Sequence, residues 1–236
     1  MTIEPNQLLL LLNWMSPAFP TGAFAYSHGL EWAIEDGNVQ SADDLKAWVA
    51  DLVSRGSGWN DAVLFARCWD DDEKTLNELA LALCSSRERW LETTQLGRSF
   101  DIAAAVFQET PSPSSRRKPG PMATVGSGFR RNDEMRDAIA YPVAAGTSCA
   151  ALGIPKAQAM LAFLQGFCAA QVSVAVRLVP LGQTQGLEVL RDLMPVIAAT
   201  AQRASSASLD DLGSITLGAD IAAMKHETQH SRIFRT

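Results

Sequence analysis

Apolar residues recur at three- and four-residue spacing along most of this chain, whereas strict alternation of apolar and polar residues never lasts beyond a few positions. The first pattern places apolar side chains on one face of a helix, and the lack of the second argues against half-buried strands. We therefore predict an all-α protein, a helical bundle in which these faces pack together. The predicted helices are Glu4–Trp14, Gly22–Asp36, Ser41 to about Gly56, Asp61–Trp69, Glu73–Cys84, Arg87–Phe107, Pro142–Gly153, a long apolar helix that starts at Pro155 and ends before Pro180, and Gln183–Arg203.

Several helix ends are marked by particular residues. Ser41 followed by Asp44 resembles a capping box, and Gly37 stands where a left-handed residue usually closes a helix. Gly29 falls inside the predicted second helix at a cost of about 1 kcal/mol relative to alanine, so we expect close packing at that position. Pro195 should kink or split the helix that contains it.

The composition changes abruptly to proline, serine, glycine and arginine between Thr110 and Asp133. Such a segment cannot build a core, so residues 110–133 are interpreted as a long exposed inserted loop. Its basic residues also allow a second interpretation, binding to an acidic partner or nucleic acid. Residues 219–236 form a basic amphipathic tail, and we expect the whole chain, residues 1–236, to be a single helical domain.

Charge and cysteine content narrow the class of protein. The 236-residue chain carries a formal net charge of -6, which argues against a general nucleic-acid binder because phosphate recognition needs a concentrated basic surface. Its four cysteines are scattered without a CxxC spacing, and we interpret them as buried thiols. They are Cys68, Cys84, Cys149 and Cys168.

One stretch has about the minimum length required to cross a membrane, residues Ala159–Val176. Gln165, Gln171 and Ser173 interrupt it, and a central helix of a soluble bundle accommodates such side chains better than hydrocarbon does. The first residues also lack the basic and small-residue features of a secretory signal. We therefore expect a cytoplasmic protein.

The sharpest catalytic motif is His226-Glu227-Thr228-Gln229-His230, which satisfies the HExxH pattern of zinc proteases. A catalytic zinc site needs a third protein ligand, yet only six residues follow His230 and the remaining histidine is the distant His28. We therefore favour an exposed helical tail with two incidental histidines. A weak metal site, or a metallohydrolase using residues 226–230, remains the alternative.

Other catalytic signatures are missing from the sequence. There is no nucleophile elbow, no phosphate-binding GxxxxGK[ST] loop and no glycine-rich dinucleotide fingerprint. The acidic run Asp70–Glu73 lacks the spacing of a cation-binding loop and is interpreted as a solvated helix start. We expect a protein that is not an enzyme and needs no cofactor.

Arg177 lies near the end of the most apolar helix. Its charge there could simply complement the helix dipole. Alternatively, Arg177 could be an anchor for a partner protein, because arginine is enriched at the residues that dominate binding energy. We favour the anchor.

The stretch Phe19-Pro20-Thr21-Gly22-Ala23-Phe24-Ala25-Tyr26-Ser27-His28-Gly29-Leu30-Glu31 resembles the N-terminal signature of the UreF family of urease accessory proteins. Later segments resemble the family in the same order, so the likeness spans nearly the whole chain. They are Gln95–Arg98, Tyr141–Val143, Ala150–Ile154, Arg177–Gln183 and the closing residues from Asp220 to Arg235.

The resemblance implies an all-helical, dimeric adaptor without its own turnover. It would join the accessory protein UreD, also called UreH, to the GTPase UreG, and would couple GTP hydrolysis to nickel insertion into apo-urease. Carried over by position, the resemblance implies eight partner-binding residues. They are Tyr26, Ser27, Gly29 and Glu31 in the N-terminal signature, Arg177 in the internal segment, and Arg232, Phe234 and Arg235 in the tail.

The sequence departs from the family pattern at two places. Residues 111–133 look inserted relative to the family's compact connection, and His230 stands where a tyrosine is usual. The second departure suggests that HExxH arose by one substitution within an unrelated pattern. A nickel-storing metallochaperone and a metalloenzyme centred on the tail stand as alternatives to the adaptor.

Overall fold

The computed structural model describes residues 2–108 and 138–236, and in these residues the regular structure is entirely helical. This confirms the predicted all-α class, whereas the predicted loop 110–133 lies outside the described residues. Two short 3-10 turns, Ala23–Ala25 and Leu209–Asp211, accompany the helices. The helices are α1 Pro5–Trp14, α2 Leu30–Glu35, α3 Ala42–Arg55, α4 Ser57–Arg67, α5 Glu73–Ala82, α6 Arg87–Gln108, α7 Tyr141–Ala151, α8 Lys156–Leu178, α9 Gln183–Ser205 and α10 Leu217–His226.

Helix α8 is the central element of the core. It packs against α9 along its length and also meets α1, α2, α3, α4 and α7. Its buried side chains include Phe163, which stacks on Phe65 of α4 with ring centroids 4.5 Å apart. By length and composition α8 could also cross a membrane, with a mean hydropathy of 1.7. Half of that apolar window is buried against other helices, and a core helix with this composition meets the same two criteria.

The predicted helix ends are mostly confirmed. Ser41 and Asp44 form the capping box at the start of α3, because each side chain accepts a hydrogen bond from the other residue's backbone. Gly37 adopts a left-handed φ of 80° just after α2. Pro155 is the residue that precedes α8 instead of its first residue. Helix α9 continues through Pro195, so this residue does not split the helix, and the alternative of a kink stays a prediction.

The predicted helix Gly22–Asp36 is wrong, because only its second half is α-helical. His28 and Gly29 both have positive φ values, 59° and 80°, which a right-handed helix cannot contain. The chain therefore forms a 3-10 turn at Ala23–Ala25, then an irregular segment, and enters α2 at Leu30. The irregular segment leaves backbone groups free to bind another part of the chain.

The cysteines follow the sequence interpretation with one exception. Cys68, Cys149 and Cys168 are buried free thiols, but Cys84 is only partly buried. Burial raises the pKa of Cys84 to about 11 and that of each of the other three to about 12. All four are therefore thiols at neutral pH, the form that reacts poorly.

Candidate functional site

The last ten residues of the chain lie on the N-terminal signature. We call residues 227–236 the docked tail and residues 19–31 the N-terminal motif. The backbone N–H of Arg235 donates to the carbonyl of Ala25 at 2.8 Å, and the backbone N–H of Ser27 donates to the carbonyl of Thr236 at 2.8 Å. The Ser27 hydroxyl donates to the same carbonyl, and His28 N–H donates to Thr236 Oγ1 at 3.2 Å. The irregular segment before α2 thus finds its hydrogen-bond partners in the docked tail.

Glu31 is the side chain that fixes the turn of the docked tail. It is 5% exposed, and its two carboxylate oxygens accept the backbone N–H groups of Ile233 at 2.7 Å and Phe234 at 2.9 Å. One of these oxygens also lies 3.1 Å from Nε2 of His226. A buried carboxylate is stable only when such donors surround it, so Glu31 and the tail depend on each other.

His226 is fully buried at the end of α10, with none of its surface exposed. Its Nδ1 lies 2.6 Å from Glu88 of α6, and its Nε2 lies 3.1 Å from Glu31 of α2. Both ring nitrogens are therefore occupied by carboxylates. This corrects the prediction of an exposed helical tail, because His226 is an internal tie between α2, α6 and α10.

The HExxH sequence does not take the helical form that zinc proteases need. Helix α10 ends at His226, and His230 is exposed in the irregular tail. The intervening Glu227 accepts hydrogen bonds from the backbone N–H groups of Arg87 at 2.7 Å and Glu88 at 3.3 Å, at the start of α6. Within the described residues, no group of three or more His, Cys, Asp or Glu side chains is placed to hold a metal ion.

Gly29 allows α10 to approach α2 closely. A Cβ atom added to Gly29 would lie 2.7 Å from the backbone nitrogen of Ala223 and 2.9 Å from its Cα. The left-handed φ of 80° also favours glycine at this position. The expected close packing at Gly29 is therefore confirmed, although the residue precedes α2 instead of lying inside a helix.

Arg177 lies over the outer side of the docked tail. Its guanidinium carbon is 5.7 Å from the ring centroid of Phe234, and its Nη1 donates to the carbonyl of Phe24 at 3.4 Å. Phe234 is buried, whereas Arg177 is exposed. A cation over an aromatic face contributes about 0.5–1 kcal/mol at an exposed position, so this contact holds the Arg177 head group only weakly.

The other two predicted arginines, Arg232 and Arg235, belong to the docked tail itself. Arg232 Nη1 donates to Glu88 Oε1 at 2.5 Å. Arg235 lies near Tyr26, whose hydroxyl donates to Gln95. Burial raises the pKa of Tyr26, and the nearby Arg235 charge opposes this increase. Both arginines are exposed, as is Ile233 between them.

All eight predicted partner-binding residues therefore meet around the docked tail, but their environments differ. Arg177, Arg232 and Arg235 are exposed. The other five are buried and hold the tail in place, so their side chains do not face solvent in this conformation. They are Tyr26, Ser27, Gly29, Glu31 and Phe234.

A buried charged cluster beneath the docked tail was missed by the sequence analysis. Glu92 of α6 lies 3.3 Å from His28 Nδ1, 2.5 Å from Arg89 Nη1 and 2.9 Å from Thr236 Oγ1. Burial alone would raise the pKa of Glu92, but Arg89 and His28 outweigh it and hold that pKa at about 2. Burial, aided by Arg89, lowers the pKa of His28.

The sequence did contain a signal for this cluster. Arg89 and Glu92 share a helix face with Leu96 and Phe100, at spacings of three and four residues. Because Leu96 and Phe100 are core positions, charged residues on the same face must find buried partners. The identity of those partners, His28 and Thr236, does not follow from the spacing.

Comparison with known proteins agrees with the resemblance seen in the sequence. A family model described as UreF matches residues 39–194. A protein of Rhodopseudomonas palustris (strain BisA53) named "Urease accessory protein UreF" is 44% identical over 97% of this chain and 93% of its own length. "Urease accessory protein UreF 1" of Brucella abortus biovar 1 (strain 9-941) is 44% identical, and "Urease accessory protein UreF" of Brucella ovis is 45% identical. Each Brucella alignment covers 100% of this chain and 97% of the relative, so it includes both the N-terminal motif and the docked tail.

Proposed function

The chain belongs to the UreF family of urease accessory proteins, and we propose that it acts in urease maturation as a non-catalytic adaptor. It joins UreD, also called UreH, to the GTPase UreG, and it couples GTP hydrolysis to nickel insertion into apo-urease. It works in the cytoplasm as a homodimer. The whole chain acts as one UreF-like helical domain, and residues 219–236 are its partner-binding segment.

The observation that carries this proposal is the surface formed by the docked tail and the elements beside it. We call this the composite surface and define it by its exposed side chains, Phe24, Arg177, Arg232, Ile233 and Arg235. Phe24 is 67% exposed and Ile233 is 73% exposed, which leaves large apolar groups in water beside three arginines. Arginine and aromatic side chains are enriched at the centres of protein interfaces.

The charge of the composite surface also favours a partner protein. The chain as a whole has a formal net charge of -6, whereas the composite surface contains three arginines. Local positive charge on an acidic protein supports recognition of an acidic patch on a partner, and it speeds association at low ionic strength. Arg232 already shares its charge with Glu88, so Arg177 and Arg235 are the freer cations of the three.

The buried residues of the cluster have a supporting role in this proposal. Ser27 and Glu31 bind the backbone of the docked tail, and Phe234 fills the space beneath Arg177. Their substitution would displace the composite surface instead of removing a direct contact. Substitution of the exposed arginines can therefore test assembly with the partners without disturbing the fold.

The first experiment compares Arg177→Ala with a matched control, Arg191→Ala, in co-purification with UreD and UreG. Arg191 is also an exposed arginine, but it lies on α9, and among the described residues its ion pair is with its neighbour Asp192. We expect Arg177→Ala to reduce recovery of the complex about tenfold or more, as at an interface residue worth more than ~1.4 kcal/mol. Arg191→Ala should leave recovery unchanged.

Arg235→Ala gives a second test, and circular dichroism of each variant checks folding. Melting temperatures within a few degrees of the unsubstituted protein would show that lost recovery reflects lost contacts. Equal recovery of the complex with Arg177→Ala, Arg235→Ala and Arg191→Ala would contradict the assignment of the composite surface.

The second experiment addresses coupling, using purified UreD, UreG and apo-urease with and without this chain. We expect nickel content of urease to depend on the chain and to decrease with Arg177→Ala. GTP hydrolysis should require UreG and should change when the chain is added. Hydrolysis of GTP by the isolated chain, or full nickel loading in its absence, would contradict the adaptor function.

A further inference from the structure

The imidazole of His226 lies between two glutamates that are themselves nearly buried. Its Nδ1 is 2.6 Å from a carboxylate oxygen of Glu88, and its Nε2 is 3.1 Å from a carboxylate oxygen of Glu31. None of the His226 side chain is exposed, and the side chains of Glu88 and Glu31 are 13% and 6% exposed. Little solvent reaches these contacts, so the ring and the carboxylates must satisfy each other.

The two contacts bear on the number of protons that the ring carries. A neutral imidazole has one N–H donor, and its other nitrogen is an acceptor. A carboxylate only accepts, so a neutral His226 would place a ring lone pair against one of the two glutamates. The doubly protonated ring donates from both nitrogens, to Glu31 and to Glu88.

Other donors to the two glutamates favour the ring as the place of the extra proton. The two oxygens of Glu31 accept the backbone N–H groups of Ile233 and Phe234 in the docked tail. The second oxygen of Glu88 accepts from Arg232 Nη1 at 2.5 Å. Donors of this kind favour the charged form of a carboxylate.

The charges around the buried imidazole come from each element that packs against it. Helix α2 supplies Glu31, α6 supplies Glu88 and the docked tail supplies Arg232. The chain neighbours on either side, Lys225 and Glu227, are exposed and opposite in charge. A doubly protonated ring therefore balances two negative charges with two positive ones. A neutral ring would leave one nearly buried negative charge without a partner, which is costly in a protein interior.

We propose that Glu31, His226 and Glu88 form a binding site for one exchangeable proton, and that docking of the tail is linked to this proton. While His226 is doubly protonated, both glutamates are held where they bind the tail. Loss of the proton as pH rises sets a ring lone pair against a carboxylate, and the docked tail loosens. Because the tail carries part of the composite surface, that surface is linked to the proton as well. The inference does not depend on the proposed function.

Nuclear magnetic resonance of the full chain between pH 6 and pH 9 tests both parts of the proposal. Long-range proton–nitrogen correlation shows whether each ring nitrogen carries a proton, and amide exchange, corrected for its intrinsic dependence on pH, measures protection of Ile233 and Phe234. At pH 8 we expect both nitrogens of His226 to be protonated, whereas the exposed His230 should give the neutral form usual for histidine in water. Tail protection should fall about tenfold or more where His226 loses its second proton, while amides of α8 keep theirs.

His226→Gln and His230→Gln are the matched variants. His226→Gln should remove the pH dependence of tail protection, and His230→Gln should retain it. If His226→Gln does not fold, the unsubstituted chain still decides the question. Loss of tail protection in step with loss of the ring proton, or retention of both up to pH 9, would support the site. A singly protonated His226 ring beneath a fully protected tail, at any pH, would overturn the proposal.

Discussion

One methyl group added at Gly29 would test whether α10 and the docked tail depend on the close approach at that residue. In Gly29→Ala the new Cβ would lie 2.7 Å from the backbone nitrogen of Ala223, closer than real Cβ contacts allow. Backbone atoms cannot rotate away as a flexible side chain can. Helix α10 would therefore have to move outward and take the docked tail with it.

The expected loss of stability in Gly29→Ala has two parts. The left-handed φ of 80° costs an alanine about 1–2 kcal/mol. Overpacking against Ala223 adds about 1–3 kcal/mol. We therefore expect Gly29→Ala to lower the free energy of unfolding by about 2–5 kcal/mol, a large part of the stability of an ordinary domain.

Gly22→Ala is the matched control because Gly22 has the same φ of 80° and, among the residues that the structure describes, no atom within 4 Å of an added Cβ. Urea unfolding of both variants measures the two parts separately, and the difference should be about 1–3 kcal/mol. Amide hydrogen exchange of residues 227–236 should be faster in Gly29→Ala alone. Equal destabilisation by the two substitutions, with unchanged exchange in the tail, would refute the reasoning.

Three further predictions concern titration, the tail and the thiols. Asp61→Asn should stabilise the protein by up to about 3 kcal/mol in urea unfolding at pH 8 and by much less at pH 4. The pKa of Asp61 rises from 3.8 to about 6 on folding, so the stability that the protonated carboxyl group contributes is lost as pH rises through 6. An equal gain at both pH values would contradict this. His226→Gln should speed amide exchange of the docked tail, whereas His230→Gln, at an exposed position, should not; similar exchange in the two variants would argue against the internal tie. Iodoacetamide at pH 7.5 should label all four cysteines far more slowly in the folded than in the unfolded chain, with Cys84 first, as mass spectrometry would show. Rapid labelling of Cys168 in the folded protein would be inconsistent with its burial.

The sequence predicted those parts of the fold that depend on neighbouring residues. The capping box at Ser41 and the left-handed Gly37 formed as predicted, because each depends on residues within four positions. The predicted helix Gly22–Asp36 was wrong, because its apolar spacing gave no sign of three residues with positive φ, Gly22, His28 and Gly29. The positive φ at His28 accompanies hydrogen bonds to Thr236, which no local pattern reveals.

The candidate site was likewise predicted in part from the sequence and in part only from the structure. Family resemblance identified eight residues that meet in space, yet it gave no indication that five of them are buried under the tail. The HExxH spacing suggested a metal motif, whereas His226 ties Glu31 to Glu88. The available chemical groups can be read from the sequence, but only their neighbours in three dimensions decide which group binds which.

The sequence by itself determined the helical class, most helix ends and membership of the family. Only the tertiary structure decided that the tail folds back, that Glu31 binds the backbone of Ile233, and that His226 is buried between two carboxylates. A helix is held by hydrogen bonds between residues four apart, so it can be predicted from neighbouring residues. The Glu31 contact joins residues 202 positions apart, and it requires the packed helices to hold the N-terminal motif and the docked tail together.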